Sequence, residues 1–345
     1  MSISKLLFWF EEIGKEHNSI VGKKCANLGE MIRMGLPVPP GFAISIAMYQ
    51  KFLSDTGAST DLSEYLARLG ELKEFDITKI DQMSQTIQKI IENKQMPADI
   101  EREIRENYER LCQRTGILNV AVSVRSAGTE SRPGMFETYL NVKGTVDVLK
   151  NVKKVWASAY TPRAIAFRLN KGFPLLGDEL GVAVLKMVNA CAAGIGFTVD
   201  PVAGDASKVV IESNWGLGEG VVSGEGSVDR FAIDKQTMEI SERIVGKKSK
   251  HVVNREKGAE WEDVPLEKQL IPCLNDQEIQ EIARLAMNIE NQLGCPQDVE
   301  WAIDSDFPFP KNVFFLQTRP AKVIAQKQRS TSDQIIDLMA KLYRP

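Results

Sequence analysis

The sequence predicts an α+β protein of two lobes, on three observations. Up to about residue 180 the apolar residues recur mostly at helical spacing; from about Gly181 short strand-like runs and glycines take over; and 345 residues exceed what one hydrophobic core usually supports. The expected division is a helix-rich lobe over 1–180, a strand-rich lobe over 181–325, and a polar linker with one short helix over 326–345. A junction of this kind is a common place for a ligand cleft.

Taken in order, "KKCANLGEMIRMGLPVPPGF" reads as a loop, a short helix from about Cys25 to Met34, a stop at Gly35, and an extended exit through Pro37, Pro39 and Pro40. Lys24 stands just before that helix, where open N–H groups and the helix dipole favour an anion. The same position also suits a lysine that only faces water.

In "PADIEREIRENYERLCQRTG" the apolar Ile100, Ile104, Tyr108 and Leu111 fall on one helical face, with Pro97 at its start and Gly116 at its stop. "NVAVSVRSAG" then changes to period two: Val120, Val122 and Val124 alternate with Ala121, Ser123 and Arg125. Arg125 is therefore on the non-valine side of a strand that ends in a small-residue loop, fit either for a ligand or for an ion pair. "VDVLKNVKKVWASAY" returns to helical spacing, and "TPRAIAFRLNKG" reads as a helix capped by Thr161 with Pro162 at its first position.

From Gly181 the strand-like runs are "GVAVLKMVNA", "GIGFTVDP", "KVVIESNWGLGEGVVSGEG" and "RFAID". The glycines at 216, 218, 220, 224 and 226 allow tight turns and close backbone approach, as in a bulged hairpin or a ligand loop. A P-loop is excluded, because no Gly-Lys-Ser/Thr occurs in the chain; Glu219 is the side chain there suited to a metal or phosphate. A helix over "DQEIQEIARLAMNIENQLG", capped by Asn275 or Asp276, precedes two closing strands, "QDVEWAID" and "VFFLQTRP".

In these last strands Asp298, Glu300, Ala302 and Asp304 share one side, and Gln317 and Arg319 share another. If the strands pair, carboxylate and amide oxygens suited to Mg²⁺ come near a guanidinium able to fork onto phosphate. A solvated sheet face with a surface ion pair gives the same pattern, and the two strands alone allow either reading.

Composition removes several classes. The 43 Lys and Arg against 46 Asp and Glu, a net charge of -3, give no electrostatic reason for nucleic acid or an anionic membrane as partner. No run approaches the roughly 18 apolar residues of a membrane span, and the acidic start does not suit a signal peptide, so a cytoplasmic location is expected. Five cysteines without a CxxC pair suggest free thiols, and two histidines in charged stretches, His17 and His251, disfavour a Ser/His/Asp hydrolase or a histidine metal site.

Seven ordered motifs, "VGKKCANLGEMIRMGLPVPPGF", "VSVRSAG", "PGMFETYLN", "GIGFTVDPVAGD", "NWGLGEGVVSG", "PQDVEWAID" and "FFLQTRPA", resemble the nucleotide-binding domain of the phosphoenolpyruvate synthase and pyruvate phosphate dikinase family, which includes rifampicin phosphotransferase. The resemblance runs from about Ile20 to Ala321 and implies an ATP-grasp fold, with ATP and Mg²⁺ held between two lobes. It assigns Lys24, Arg125 and Arg319 to the phosphates, Gly134 and Thr138 to the phosphate lining, and Glu300 and Gln317, with Asp298 nearby, to Mg²⁺. Two departures stand out: Lys23 and Cys25 replace glycines flanking the family lysine, and Leu185 stands where the family commonly has Gln.

Family enzymes pass a phosphoryl group from ATP to a histidine in a Thr-Ser-His context and then to an acceptor, releasing AMP and phosphate. Neither His17 nor His251 has that context, so the resemblance implies a larger partner subunit carrying the phosphohistidine and acceptor-binding parts. The ends at Met1 and Pro345 read as those of a separate subunit. In this the chain is similar to the smaller, ATP-binding subunit of phenylphosphate synthase, with phenol as the expected acceptor.

Overall fold

The computed structural model describes residues 5–69, 77–130, 135–176, 180–222, 224, 226–255 and 258–322. The expected C-terminal helix within 326–345 and the candidate Gly134 lie outside the described residues. The architecture is mixed helix and sheet, with antiparallel strand pairs in both main sheets. No helix of the described residues is long and apolar enough to cross a membrane.

The chain divides into two compact units. The first runs to Asn189 and also takes in Val252–Trp261 and Phe314–Gln317; the second comprises Ala190–His251, Glu262–Val313 and the residues from Thr318 on. Strand β5 fills the centre of the first unit's sheet, and this unit continues to Asn189.

In chain order the first unit holds β1 (Leu7–Trp9), α1 (Asn18–Val21), α2 (Lys23–Arg33), β2 (Gly41–Ile44), α3 (Ile46–Asp55), α4 (Ala58–Leu69), α5 (Ile77–Glu92), α6 (Ala98–Thr115), β3 (Val122–Gly128), β4 (Thr138–Val142), α7 (Thr145–Ala157), α8 (Pro162–Lys171) and β5 (Leu180–Lys186). Its five strands lie in the order β1-β2-β5-β3-β4. One side of this sheet, with Phe42, Ile44, Val122, Val124, Val182 and Val184, joins Met48, Phe52, Ile87, Ile104, Val152 and Trp156 of the helices in the main core. Such burial removes about 1.5–3 kcal/mol of unfavourable hydration for each large side chain.

Local signals account for the helix ends. Thr161 caps α8 by accepting from the Ala164 N–H, Pro162 is its first residue, and Gly172 closes it at φ 67°. The α6 face is the expected Ile100, Ile104, Tyr108 and Leu111, and Gly116 stops it at φ 68°. Helix α2 begins earlier than expected, at Lys23, so Lys24 lies inside its first turn; Gly22 takes the preceding position at φ 82°.

The second unit holds β6 (Ala190–Phe197), β7 (Lys208–Trp215), α9 (Glu219–Val222), β8 (Asp229–Asp234), β9 (Ile240–Ile244), β10 (Lys250–Arg255), β11 (Gly258–Asp263), α10 (Asp276–Leu293), β12 (Gln297–Asp304) and β13 (Val313–Pro320), with parts of β10, β11 and β13 belonging to the first unit. The order β13-β12-β6-β7-β8-β9 makes a six-stranded sheet, and β10 and β11 form a separate two-stranded one. Asn275 caps α10 in a capping box with Glu278, and its apolar stripe packs on β6, β7 and β12. The described part of the glycine stretch after β7 makes a turn and the single helical turn α9, within the connection between the antiparallel partners β7 and β8.

Candidate active site

On the first unit, register decides which side chains meet. Arg125 of β3 is opposite Thr138 of β4 and Ala183 of β5, and Ala183 is opposite Ala43 of β2. Register partners point to one side of a sheet, so Arg125 and Thr138 stand together on the side away from the valine core. Small residues floor that side: Ser123, Ala43, Ala183 and Gly41.

Helix α2 enters over the same side. A Cβ at Gly22 would lie 1.9 Å from the Ala127 carbonyl oxygen, so the turn before Lys24 rests directly on the strand that carries Arg125. Cys25, fully buried, registers both charges: burial pushes its thiol up to about 12, against the opposing pull of the Lys24 and Arg125 cations. Arg125 Nη2 also donates to Gln317 Oε1 at 3.3 Å. Lys24, Arg125, Thr138 and Gln317 thus belong to one neighbourhood of the first unit.

Leu185 lies on this side too, opposite Gly41 and Ser123, and is 2% exposed. Where the family's common Gln would bring an amide, the floor here is apolar.

The second unit contributes a different cluster. Arg319 Nε donates to Asp298 Oδ2 at 2.7 Å, with Asp298 nearly buried. Burial raises the Asp298 carboxyl above its ordinary value, and the nearby Glu300 charge adds to this, against the Arg319 hydrogen bond and charge. The Nη groups of Arg319 have no protein partner among the described residues, which leaves the open edge of the guanidinium for an anion.

A solvated polar face on β12 is not what the structure shows. Asp298, Ala302 and Asp304 are buried and Glu300 is half-buried, so the carboxylates sit on an enclosed surface. The reason is topological: β12 lies inside the six-stranded sheet, flanked by β13 and β6.

Register also supplies residues that spacing did not single out. Glu300 is in one row with Ile195, Glu212 and Arg230 of β6, β7 and β8. Arg230 Nη2 donates to Asp200 Oδ2 at 2.8 Å, whereas Glu212 is a half-buried carboxylate without a hydrogen bond or ion pair to protein among the described residues. Its only sequence signal is a lone acid in the otherwise apolar "KVVIES". Glu219 is exposed at the start of α9.

Among the described residues no three His, Cys, Asp or Glu side chains form a metal cage. Glu300 of the second unit and Gln317 of the first each carry a hard oxygen of the type that Mg²⁺ takes beside phosphates and water; the raised Asp298 carboxyl is first an effect of its burial.

Comparison with known proteins places the chain in a family. The family model described as pyruvate phosphate dikinase, AMP/ATP-binding domain, matches residues 18–339. The chain belongs to this family. Curated relatives include the probable phosphoenolpyruvate synthase of Methanocaldococcus jannaschii, 38% identical over 98% of this chain and 28% of its own length. That of Staphylothermus marinus is 36% identical over 98% of this chain and 44% of its own, and that of Methanothermobacter thermautotrophicus 37% over 98% and 49%. The chain thus spans less than half the length of these three relatives. Lys24 and Arg125 stand on a helix start and a strand of the first unit, and Arg319 on a sheet-edge strand of the second.

Proposed function

We propose that this chain is the ATP-binding module of a dikinase-type phosphotransferase of the phosphoenolpyruvate synthase kind, folded as an ATP-grasp. The observation that carries the reading is the meeting of Arg125, Thr138 and Gln317 beside the helix start that bears Lys24. Two cations beside a helix start favour a polyphosphate there.

In this reading Lys24, Arg125 and Arg319 neutralise the phosphates, and Thr138 lines them. Glu300 and Gln317 hold Mg²⁺, which when bound supplies charge neutralisation on the phosphate oxygens. The chain's own contribution is positioning and electrostatic stabilisation of charge that moves onto bridging oxygens. Asp298 orients Arg319 through its Nε and leaves the Nη edge for phosphate.

The acceptor of the phosphoryl group is a histidine outside these 345 residues, on further sequence or on a partner subunit. His17 does not suit the task, since its Nδ1 is engaged by the Gly14 N–H at 3.2 Å in a turn. The histidine nitrogen attacks the β-phosphorus of ATP, the bond to the α-phosphate breaks, and AMP leaves; water then releases the terminal phosphate. Because the relatives are named phosphoenolpyruvate synthases, a pyruvate-like final acceptor is favoured over phenol.

The test combines this chain with a histidine-bearing segment and ATP labelled at the β or the γ position. Label on the histidine from β-labelled ATP, with AMP formed, is expected; label from the γ position alone excludes the pyrophosphoryl route. Tight ATP binding with no AMP under any condition would make the chain a regulatory nucleotide module.

A further inference from the structure

Among the described residues, the β10–β11 pair contains a polar atom without a partner. Asn254 Oδ1 is buried and accepts no hydrogen bond from any of them. A buried acceptor left unsatisfied costs about 1–3 kcal/mol, so each one in a native fold calls for a ligand, a water or a functional reason.

Its place in the fold narrows the choice. Asn254 shares a strand face with Val252, which is 2% exposed. The next residue, Arg255, accepts a hydrogen bond from Asn141 Nδ2 through its carbonyl oxygen. Asn141 lies in β4 at φ 55°, beside a register shift between β3 and β4, and three residues after Thr138. That bulge turns the Asn141 amide towards β10 and ties the strand to the edge of the five-stranded sheet, whose register also sets Thr138 opposite Arg125. Residues Val252–Trp261, β4 and Arg125 all belong to the first unit.

We infer that Asn254 is a ligand-contacting residue of the nucleotide site, its carboxamide oxygen accepting from a hydroxyl or amine of the nucleoside part of ATP. The inference rests on the nucleotide-binding reading above. An amide oxygen has no attraction for phosphate oxygens, which are acceptors too, so the contact belongs to ribose or base.

The experiment measures binding of ATP, adenosine and tripolyphosphate to the full chain by calorimetry, for the wild type, Asn254→Leu and Asn254→Ala. Loss of one hydrogen bond predicts a fall of roughly three- to tenfold for ATP and adenosine, and none for tripolyphosphate. The melting temperature without ligand should hold or rise, since the variants delete an unsatisfied group. Unchanged ATP affinity in both variants, or an equal fall for tripolyphosphate, overturns the inference. A lower ligand-free melting temperature with unchanged affinity also overturns it, and assigns Asn254 to a bound water or to packing. Failure of the wild type to bind ATP would instead remove the nucleotide reading itself.

Discussion

Arg125 and Thr138 are opposite each other on neighbouring strands of the five-stranded sheet, on the side that faces away from the hydrophobic core. One residue comes from a strand ending in a small-residue loop and the other from the first position of the next strand. Their meeting converts two separate sequence motifs into one surface, to which Gln317 adds an amide oxygen 3.3 Å from the guanidinium.

Arg125→Ala should lower ATP affinity by about ten- to a hundredfold, the range for losing charge-assisted hydrogen bonds. Gln317→Ala and Arg319→Ala should abolish phosphoryl transfer. All three side chains are half-buried and outside the apolar core, so circular dichroism and melting should stay near wild type. Normal transfer in both β13 variants would leave that strand without a catalytic part.

The buried pair of Lys248 and Asp229, both fully enclosed and 2.5 Å apart, makes a separate prediction about stability. Asp229 also accepts from the Gly246 and Cys273 N–H groups, so one carboxylate joins three segments. Lys248→Met should cost about 3–5 kcal/mol in urea unfolding, because it strands a buried charge. Adding Asp229→Asn should restore part of the loss: the charge is gone while an acceptor remains.

Alkaline pH should loosen the fold through its buried thiols. Burial raises Cys25 to about 12 and raises Cys273 as well, against about 8.5 for an unfolded cysteine. Above the unfolded value the unfolded chain sheds a proton that the folded chain keeps, so stability is full below about pH 8.5 and falls as pH climbs towards the folded value. Melting temperature followed from pH 7.5 to 10 should decline, and Cys25→Ala should make the decline shallower.

Gly22→Ala should destabilise by about 1–3 kcal/mol and weaken ATP binding together, since a positive φ and a backbone contact coincide there. Gly116→Ala, at φ 68° with nothing within 4 Å, is the control: it should cost stability alone.

Much of the fold was legible because its signals are local. Thr161 with Pro162, and Asn275 with Glu278, announce helix starts by side-chain chemistry that needs no tertiary context. Strands β9, β10 and β11 were not legible: "ISERI", "KHVVNR" and "GAEWED" lie at a sheet edge or in a two-stranded sheet, where exposed and half-buried residues leave no clear apolar alternation to read. The candidate side chains were legible only in part. Spacing put Asp298 on the side of Glu300, but enclosure of that side follows from the neighbours of β12, and the Arg125–Thr138 pairing depends on a bulge at Asn141. Glu212, Arg230 and Asn254 emerged only from register and burial.

The two sides of the five-stranded sheet separate two kinds of mutational sensitivity by parity. On β5, Val182 and Val184 answer to core volume, so trimming them should change melting and leave affinity alone. Ala183, between them, answers to closeness: Ala183→Val adds bulk beneath Arg125, so it should change affinity more than melting. Stability and ligand recognition are thus written in alternate letters of the same strand, and selection on one can proceed without the other.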